Sequence, residues 1–138
     1  MVEFAIALPI MLLVLIGTAE FSRAFMQYNA LTKHIRDAAR YVASEAYHGS
    51  TGAIILSPTL QSEAANLVVY GNIQGTGTPL LPGLVAGAVT IVTAGPGDFT
   101  MTATYDYNSI FAVVPMFGFA ANLTPNFQFR PQITMRAL

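Results

Sequence analysis

The chain of 138 residues lacks cysteine and has few charged residues. Without cysteine it has no disulfides, no thiol catalysis and no thiolate metal sites, although this absence does not identify a compartment. Charged residues make up 9% of the chain, well below the usual value of about a quarter, whereas hydrophobic residues make up 54%. Much of the surface must therefore be neutral or covered by partners, and a net charge of −1 argues against nucleic acid as one of them.

Recognisable catalytic and cofactor motifs are absent as well. The glycines at 75–77 lack the third glycine and the strand-to-helix setting of a dinucleotide site. No serine stands in a recognisable motif with a histidine and an acid, although the members of a triad can be dispersed in sequence. The pairs His34/Asp37 and Glu45/His48 have helical spacing, but such pairs are common on solvated helix faces. We therefore predict no enzyme, no metal site and no cofactor.

An uncharged apolar run at residues 4–19, with Glu3 at its head, is the strongest feature that is present. As a helix it spans roughly 24 Å, slightly less than a bilayer core of roughly 30 Å, and local thinning absorbs a mismatch of this size. Pro9 removes one backbone donor, which neighbouring helices often compensate in membranes. A carboxylate such as Glu3 needs a partner or a proton in hydrocarbon. The run therefore indicates a membrane helix or a helical bundle.

The helical pattern continues beyond the run, because no proline or glycine occurs between Thr18 and His48. Apolar positions recur at spacings of three and four along one face: Phe21, Phe25, Tyr28, Leu31, Ile35, Ala38 or Ala39, Val42 and Ala46. The other face carries Arg23, Gln27, Lys33, Arg36, Asp37 and Arg40. We predict one helix from about Val2 to Tyr47, roughly 68 Å long, ended by Gly49 and Gly52. Its lower half is expected to pack on the protein's own sheet.

The remaining residues, 49–138, read as a small α+β head. Ser57 and Pro58 form an N-cap and first-turn proline, and helical spacing lasts to Tyr70, with Gly71 as the stop. Residues 71–87 are a loop that we expect to pack back on the head through Leu80, Leu81, Leu84 and Val85.

Strand patterns fill the rest of the head. Residues 89–93 are β-branched, and the turn at 95–98 leads into an alternation of apolar and polar residues over 99–108 that is repeated over 127–136. These segments predict an antiparallel sheet of about three strands. Residues 110–121, between the last two strands, are too short to span a bilayer and are expected to cover the sheet edge or to meet a neighbouring subunit. The predicted fold is α+β, with an N-terminal helix at 1–48 and a head domain at 49–138.

Four short motifs in the N-terminal segment carry a family resemblance: Val2-Glu3-Phe4, Leu8-Pro9, Glu20-Phe21-Ser22-Arg23 and Ala38-Ala39-Arg40-Tyr41. Over residues 2–43 the chain resembles the TadE-like family of pilin-related proteins, and the second helix and threonine-rich strands fit that family more loosely. Such proteins act in tight-adherence (Tad) pilus systems of the type IV pilus superfamily. The resemblance implies a pilin-like fold and bacterial origin, with Glu3 as the glutamate that neutralises the amine of a neighbouring subunit.

The resemblance also bears on processing and topology. Family members lose a short basic leader to a prepilin-type peptidase, and the family spacing puts the cleavage a couple of residues before Met1. We therefore expect a processed chain, with Met1 as a true start as the open alternative. The basic residues flanking the run all lie on its C-terminal side, which taken alone places that side in the cytoplasm. A lost basic leader reverses this bias, so the outward orientation is implied by the resemblance and not by the residues.

Two hypotheses from different classes follow. The first is a structural subunit of a type IV (Tad-like) pilus, held in the bacterial inner membrane before assembly and then part of an extracellular adhesive filament. Its partners are further copies in a helical homo-oligomer, other pilus subunits and the inner-membrane assembly machinery. Its assembly surface is formed by Glu3, Phe4, Ile6, Leu8, Pro9, Met11, Leu12, Leu13, Leu15 and Ile16.

The alternative hypothesis is a protein that does not form the bulk filament. It is either a minor TadE-like pseudopilin or a monomeric, membrane-anchored binding protein. In the second case the aromatic segment after Ile110 holds a ligand or surface, with Phe111, Phe117 and Phe119 as candidate head contacts. An assembling subunit needs a specifically shaped apolar run, whereas an anchor needs only hydrophobicity.

Overall fold

A computed structural model describes residues 2–46, 54–110 and 126–137 of the chain. The helices are α1 (Val2–Glu45) and α2 (Pro58–Tyr70), and a 3-10 turn occupies Ala86–Ala88. The strands are β1 (Val89–Gly95), β2 (Asp98–Ala103), β3 (Tyr105–Asn108), β4 (Asn126–Phe129) and β5 (Gln132–Arg136). The long N-terminal helix, single short helix and antiparallel three-stranded sheet confirm the predicted α+β class.

Helix α1 runs without a break through Pro9 and ends at Glu45. Its predicted end at Tyr47 and the glycines at 49 and 52 lie outside the described residues. Glu3 lies in the first turn, where a carboxylate interacts favourably with the positive end of the helix dipole.

Helix α2 begins and ends as predicted from its caps. The Ser57 hydroxyl accepts a hydrogen bond from the Leu60 amide at 3.2 Å, and Pro58 occupies the first helical position. At the other end Gly71 adopts a φ of 74°, and its amide donates to the Leu67 carbonyl. Glycine adopts this left-handed conformation without the strain that other residues incur there. The helix therefore ends at Gly71.

The main sheet has the strand order β1-β2-β5, and both pairings are antiparallel. Met101 on the central strand lies opposite Ile91 on one side and Ile133 on the other. The alternation predicted for residues 99–108 is confirmed, since Phe99, Met101, Ala103, Tyr105 and Tyr107 are all buried.

Strands β3 and β4 form a second, two-stranded sheet that the sequence did not predict. The alternating segment 99–108 divides at Thr104, and the segment 127–136 divides at 130–131. These two breaks are neighbours in space, because the Ala103 amide donates to the Pro131 carbonyl. Pro131 has no amide with which to continue the ladder, so each segment contributes one strand to each sheet.

The chain divides into two compact units, one formed by Met1–Gln27 with Tyr107–Phe127 and the other by Tyr28–Asp106 with Gln128–Leu138. The second unit contains the hydrophobic core, in which the lower half of α1 packs with α2 and the main sheet, as predicted. Buried residues of this core include Leu31, Ile35, Ala38, Val42, Leu60, Ala64, Val68, Ile91, Phe99, Met101 and Ala103.

The upper part of the predicted α1 stripe is wrong. Phe21 and Phe25 are 73% and 57% exposed, whereas Glu20 and Ala24 are buried. Leu31 packs in the core and so marks the buried side of α1. Glu20 precedes it by about three helical turns and therefore lies on the same side. The buried face of α1 therefore carries a carboxylate at this level, and Phe21 and Phe25 of the predicted apolar stripe lie on the exposed side.

The loop at 71–87 packs back on the head only in part. Leu81 and Leu84 are buried, as expected, while Leu80 and Val85 are exposed. Of the segment predicted to cover the sheet edge, Ile110 is exposed. Residues 111–121 lie outside the described part of the chain.

Candidate functional site

The predicted assembly surface lies on the N-terminal part of α1 and is largely exposed. Glu3, Phe4, Ile6, Leu8, Met11, Leu12 and Leu15 are exposed, and Pro9, Leu13 and Ile16 are half-buried. Phe4, Ile6, Met11 and Leu15 each expose about two thirds of their surface. Contiguous apolar surface of this kind marks a membrane or protein contact.

Length and composition allow α1 to cross a membrane. A core helix of a soluble protein passes the same test of length and composition, but such a helix is mostly buried. Only 6% of the most apolar window of α1 is buried. The helix therefore fits a membrane-anchored protein, in agreement with the sequence.

A buried carboxylate follows directly after the apolar run. The Glu20 side chain is 8% exposed. Its Oε2 accepts a hydrogen bond from the Tyr107 hydroxyl, and its Oε1 accepts one from the Ile110 amide at 2.8 Å. Hydrogen bonds to a charged group contribute about 1.5–3 kcal/mol each. These contacts explain how a carboxylate is kept on the inward face of α1.

Arg23 adds a second contact one helical turn further on. Its Nη1 donates to the Asn108 carbonyl at 3.2 Å, and its guanidinium carbon lies 5.9 Å from the centroid of the Tyr107 ring. The second distance is within the range of a cation–π interaction. We call Glu20, Arg23, Tyr107, Asn108 and Ile110 the Glu20 clasp.

Helix and strand geometry explain why these side chains meet. Glu20 and Arg23 are three residues apart, so they share one side of α1. Tyr107 projects from β3 on the buried side of the strand, and its ring stacks on Phe127 of β4 with centroids 4.7 Å apart. The aromatic pair holds the hydroxyl at a fixed position in front of the carboxylate.

The electrostatics of the clasp act on Tyr107. Burial, the hydrogen bond to Glu20 and the charge of that carboxylate together raise the pKa of its hydroxyl to about 12, with burial as the largest cause. Arg23 opposes the increase in this pKa. At neutral pH the hydroxyl is therefore protonated and donates, which suits a structural contact and not a catalytic base.

The sequence did not assign the clasp. It placed Arg23 on the face opposite the apolar stripe and identified Glu20 and Arg23 only as parts of a family motif. Helical periodicity could have identified Glu20. Extending the face of Leu31 and Ile35 towards the N-terminus at about 3.6 residues per turn places Glu20 on the buried face. The partners, Tyr107 and Ile110, are about 90 positions away in sequence and gave no such signal.

Other sequence-derived sites stay predictions. The candidate head contacts Phe111, Phe117 and Phe119 lie outside the described residues. Among residues 2–46, 54–110 and 126–137 no group of three or more potential metal-binding side chains is found. The intersubunit role of Glu3 involves other chains and is taken up below as a proposal.

Residues 1–40 match the family model described as TadE-like protein. The match contains Glu3, Pro9, Glu20 and Arg23 and confirms the resemblance predicted from the sequence. It covers most of α1 and none of the head. No curated protein and no solved structure is significantly similar to the chain.

Replacing Tyr107 with phenylalanine tests the clasp. Y107F removes a donor from a buried carboxylate, so we expect the free energy of unfolding to fall by about 1.5–3 kcal/mol. The matched control is Y105F, which removes a hydroxyl that donates to the neutral Pro82 carbonyl at 3.1 Å and should cost about 1 kcal/mol. Denaturant unfolding of the full chain in detergent measures both, and an equal or smaller loss for Y107F contradicts the assignment.

The pKa of Tyr107 predicts a loss of stability at alkaline pH. The folded protein holds the hydroxyl proton more tightly than the unfolded chain, whose pKa is near 10.0. This contribution is complete below pH 10 and disappears as the pH rises towards about 12. The free energy of unfolding should therefore fall more steeply over this interval in the wild type than in Y107F. Parallel slopes for the two proteins would show that Tyr107 is not linked to folding.

Proposed function

We propose that this protein is a structural, pilin-like subunit of a type IV pilus system of the tight-adherence type. In this proposal it assembles through the N-terminal part of α1 into an extracellular filament that serves adhesion or surface attachment. Before assembly it is held in the bacterial inner membrane, where it meets other pilus subunits and the assembly machinery. The match of residues 1–40 to the TadE-like family supports the pilus system, and the exposed apolar helix supports the mode of assembly.

The exposed apolar surface of α1 is the observation that carries the proposal. Each fully buried leucine, isoleucine or phenylalanine contributes on the order of 1.5–3 kcal/mol. Burial of several such side chains against equivalent helices of other copies is sufficient to hold a subunit almost irreversibly. A head-to-tail contact of this kind does not close into a ring and generates a helical polymer.

Glu3 has a specific role in the proposed assembly. Its carboxylate is exposed in the first turn of α1, at the head of an uncharged run. Within a filament core or a bilayer this charge needs a positive partner. The TadE-like resemblance supplies one by implication, namely the amine of a neighbouring subunit.

The Glu20 clasp fits the same function. It ties α1 to residues 107–110 at the point where the uncharged run ends. Force applied to one part of an assembled subunit reaches α1 through such contacts. Three charge-assisted hydrogen bonds and a cation–π contact resist that force better than apolar contacts alone.

The second candidate function is a subunit that does not form the bulk filament. The observation that favours it is that α1 is apolar enough to cross a membrane without other copies. A minor pseudopilin or an anchored binding protein uses such a helix as an anchor, and lipid then covers the surface that the first proposal assigns to other copies.

The two candidates differ in how they respond to a scrambled helix. Rearranging residues 4–16 at constant composition preserves hydrophobicity and destroys the order of large and small side chains. We expect filaments to be lost, because helix packing depends on the shape of the interface. The measurement is a count of filaments on cells by electron microscopy, with membrane insertion as the control. Undiminished filaments would show that the run is only an anchor.

Replacing Glu3 with alanine tests charge neutralisation. E3A should abolish filaments or change their subunit register, because the neighbouring amine is left unpaired in apolar surroundings. The matched control is E45A, which removes an exposed carboxylate from the other end of the same helix and should leave filaments intact. Thermal unfolding of both variants reports whether the head is still folded, and normal filaments from folded E3A exclude this role for Glu3.

A further inference from the structure

Strand β1 forms one edge of the main sheet. Its seven residues, Val89–Gly95, include five β-branched residues and no charge or proline. Natural edge strands usually carry lysine, proline or an inward-pointing charge that blocks pairing with another chain. β1 has one such device, a register irregularity between Thr93 and Gly95 at its end. The residues before it form an unprotected edge.

The direction of the backbone groups of β1 follows from its pairing with β2. The Thr104 amide donates to the Ala88 carbonyl, so this pair is hydrogen-bonded. Hydrogen-bonded and non-hydrogen-bonded pairs alternate along an antiparallel ladder. The backbone groups of Thr90 and Val92 therefore point towards β2, opposite Thr102 and Thr100. On the opposite side of β2 the alternate residues bond to the neighbouring chain segment, since the Ala103 amide donates to the Pro131 carbonyl. This agrees with even-numbered residues of β2 pointing towards β1.

The amides and carbonyls of Val89, Ile91 and Thr93 consequently point away from the sheet. Within the described ranges β1 has no strand neighbour other than β2, and no loop donates to or accepts from these groups. They form a row of three donors and three acceptors along the edge. Such a row is a template for an added strand.

The side chains of β1 are compatible with an added strand. Ile91 faces the core, while Thr90 and Val92 lie on the opposite face and are exposed. Val92 exposes 57% of its surface although it is apolar. An added strand covers part of this surface and introduces no buried charge.

We propose that the occupant of this edge is β1 of a second copy of the chain, antiparallel and related by a two-fold axis at Ile91. In this register Ile91 pairs with Ile91 of the second copy, and Val89 pairs with Thr93 of the second copy in both directions. All six outward backbone groups are then satisfied by their own equivalents. The uncharged strand meets no like charge when it pairs with itself, and like charges directly opposite destabilise such a pair.

The pairing has a consequence that goes beyond the proposed function. A two-fold contact is isologous and closes after two copies, so it cannot propagate a filament. It joins two heads through a continuous six-stranded sheet, β5-β2-β1 of one copy and β1-β2-β5 of the other. Subunits of two different filaments, or two membrane-held subunits, are thereby linked. The inference concerns the head alone and holds whether or not α1 polymerises.

The absence of cysteine makes the register directly testable. In the proposed pairing Thr90 lies opposite Val92 of the second copy as a non-hydrogen-bonded pair, whose close Cβ atoms suit a disulfide. Full-length T90C and V92C chains carrying tags of different length are mixed in detergent and oxidised. We expect a disulfide-linked heterodimer between them. The matched control is T90C mixed with T93C, in which the thiols lie on opposite faces of the sheet.

The yields of the two mixtures decide the proposal. A heterodimer from T90C and V92C well above the yield of the control supports the two-fold register. Equal yields from both mixtures indicate random collision in micelles and overturn the proposal. No heterodimer at all indicates that the edge is free or takes an extended segment of another protein, and this result also overturns it.

Charge variants test the same contact without oxidation. T90K/V92K places lysine opposite lysine twice, whereas T90K/V92E places lysine opposite glutamate twice and removes the same two native side chains. Sedimentation of the full chains in detergent should show loss of the dimer for T90K/V92K and its retention for T90K/V92E. Association through α1 is the same in both variants, so failure of the filament proposal does not change this comparison. Equal association of two variants that unfold at the same temperature overturns the pairing.

Discussion

The uncharged run of α1, residues 4–19, presents apolar surface that must be covered by something other than the described parts of this chain. Most of its large apolar side chains from Phe4 to Leu15 are exposed, and Leu13 is half-buried. A lipid bilayer and a bundle of equivalent helices both meet the requirement, because both replace water with apolar contacts. The proposed function uses the two in succession, first the membrane and then a filament.

The Glu20 clasp lies on α1 where the uncharged run ends. Glu20 is the first charged residue after the run, and it is buried against Tyr107 and Ile110 instead of being solvated. A buried carboxylate is tolerated only where donors satisfy it, so the clasp specifies which face of α1 meets β3. The exposed Phe21 and Phe25 follow from this choice, because they lie on the face that the clasp turns outward.

Features governed by local chemistry were predictable from the sequence, and features governed by distant partners were not. The limits of α2 follow from Ser57, Pro58 and Gly71, which act within one turn of the helix. The buried alternation from Phe99 to Tyr107 follows from strand geometry. The clasp required knowledge of which strand lies beside α1. The division into two sheets depends on Pro131 lying beside Ala103, a neighbour far away in sequence.

The most direct test is electron microscopy of purified wild-type protein with the apolar run intact, followed by helical reconstruction. The proposal predicts regular filaments in which residues near Glu3 to Ile16 form the core and contact the same residues of other copies. Dispersed single particles in detergent, with that surface facing only detergent, would contradict polymerisation and leave a membrane-held minor subunit or anchored binding protein as the function.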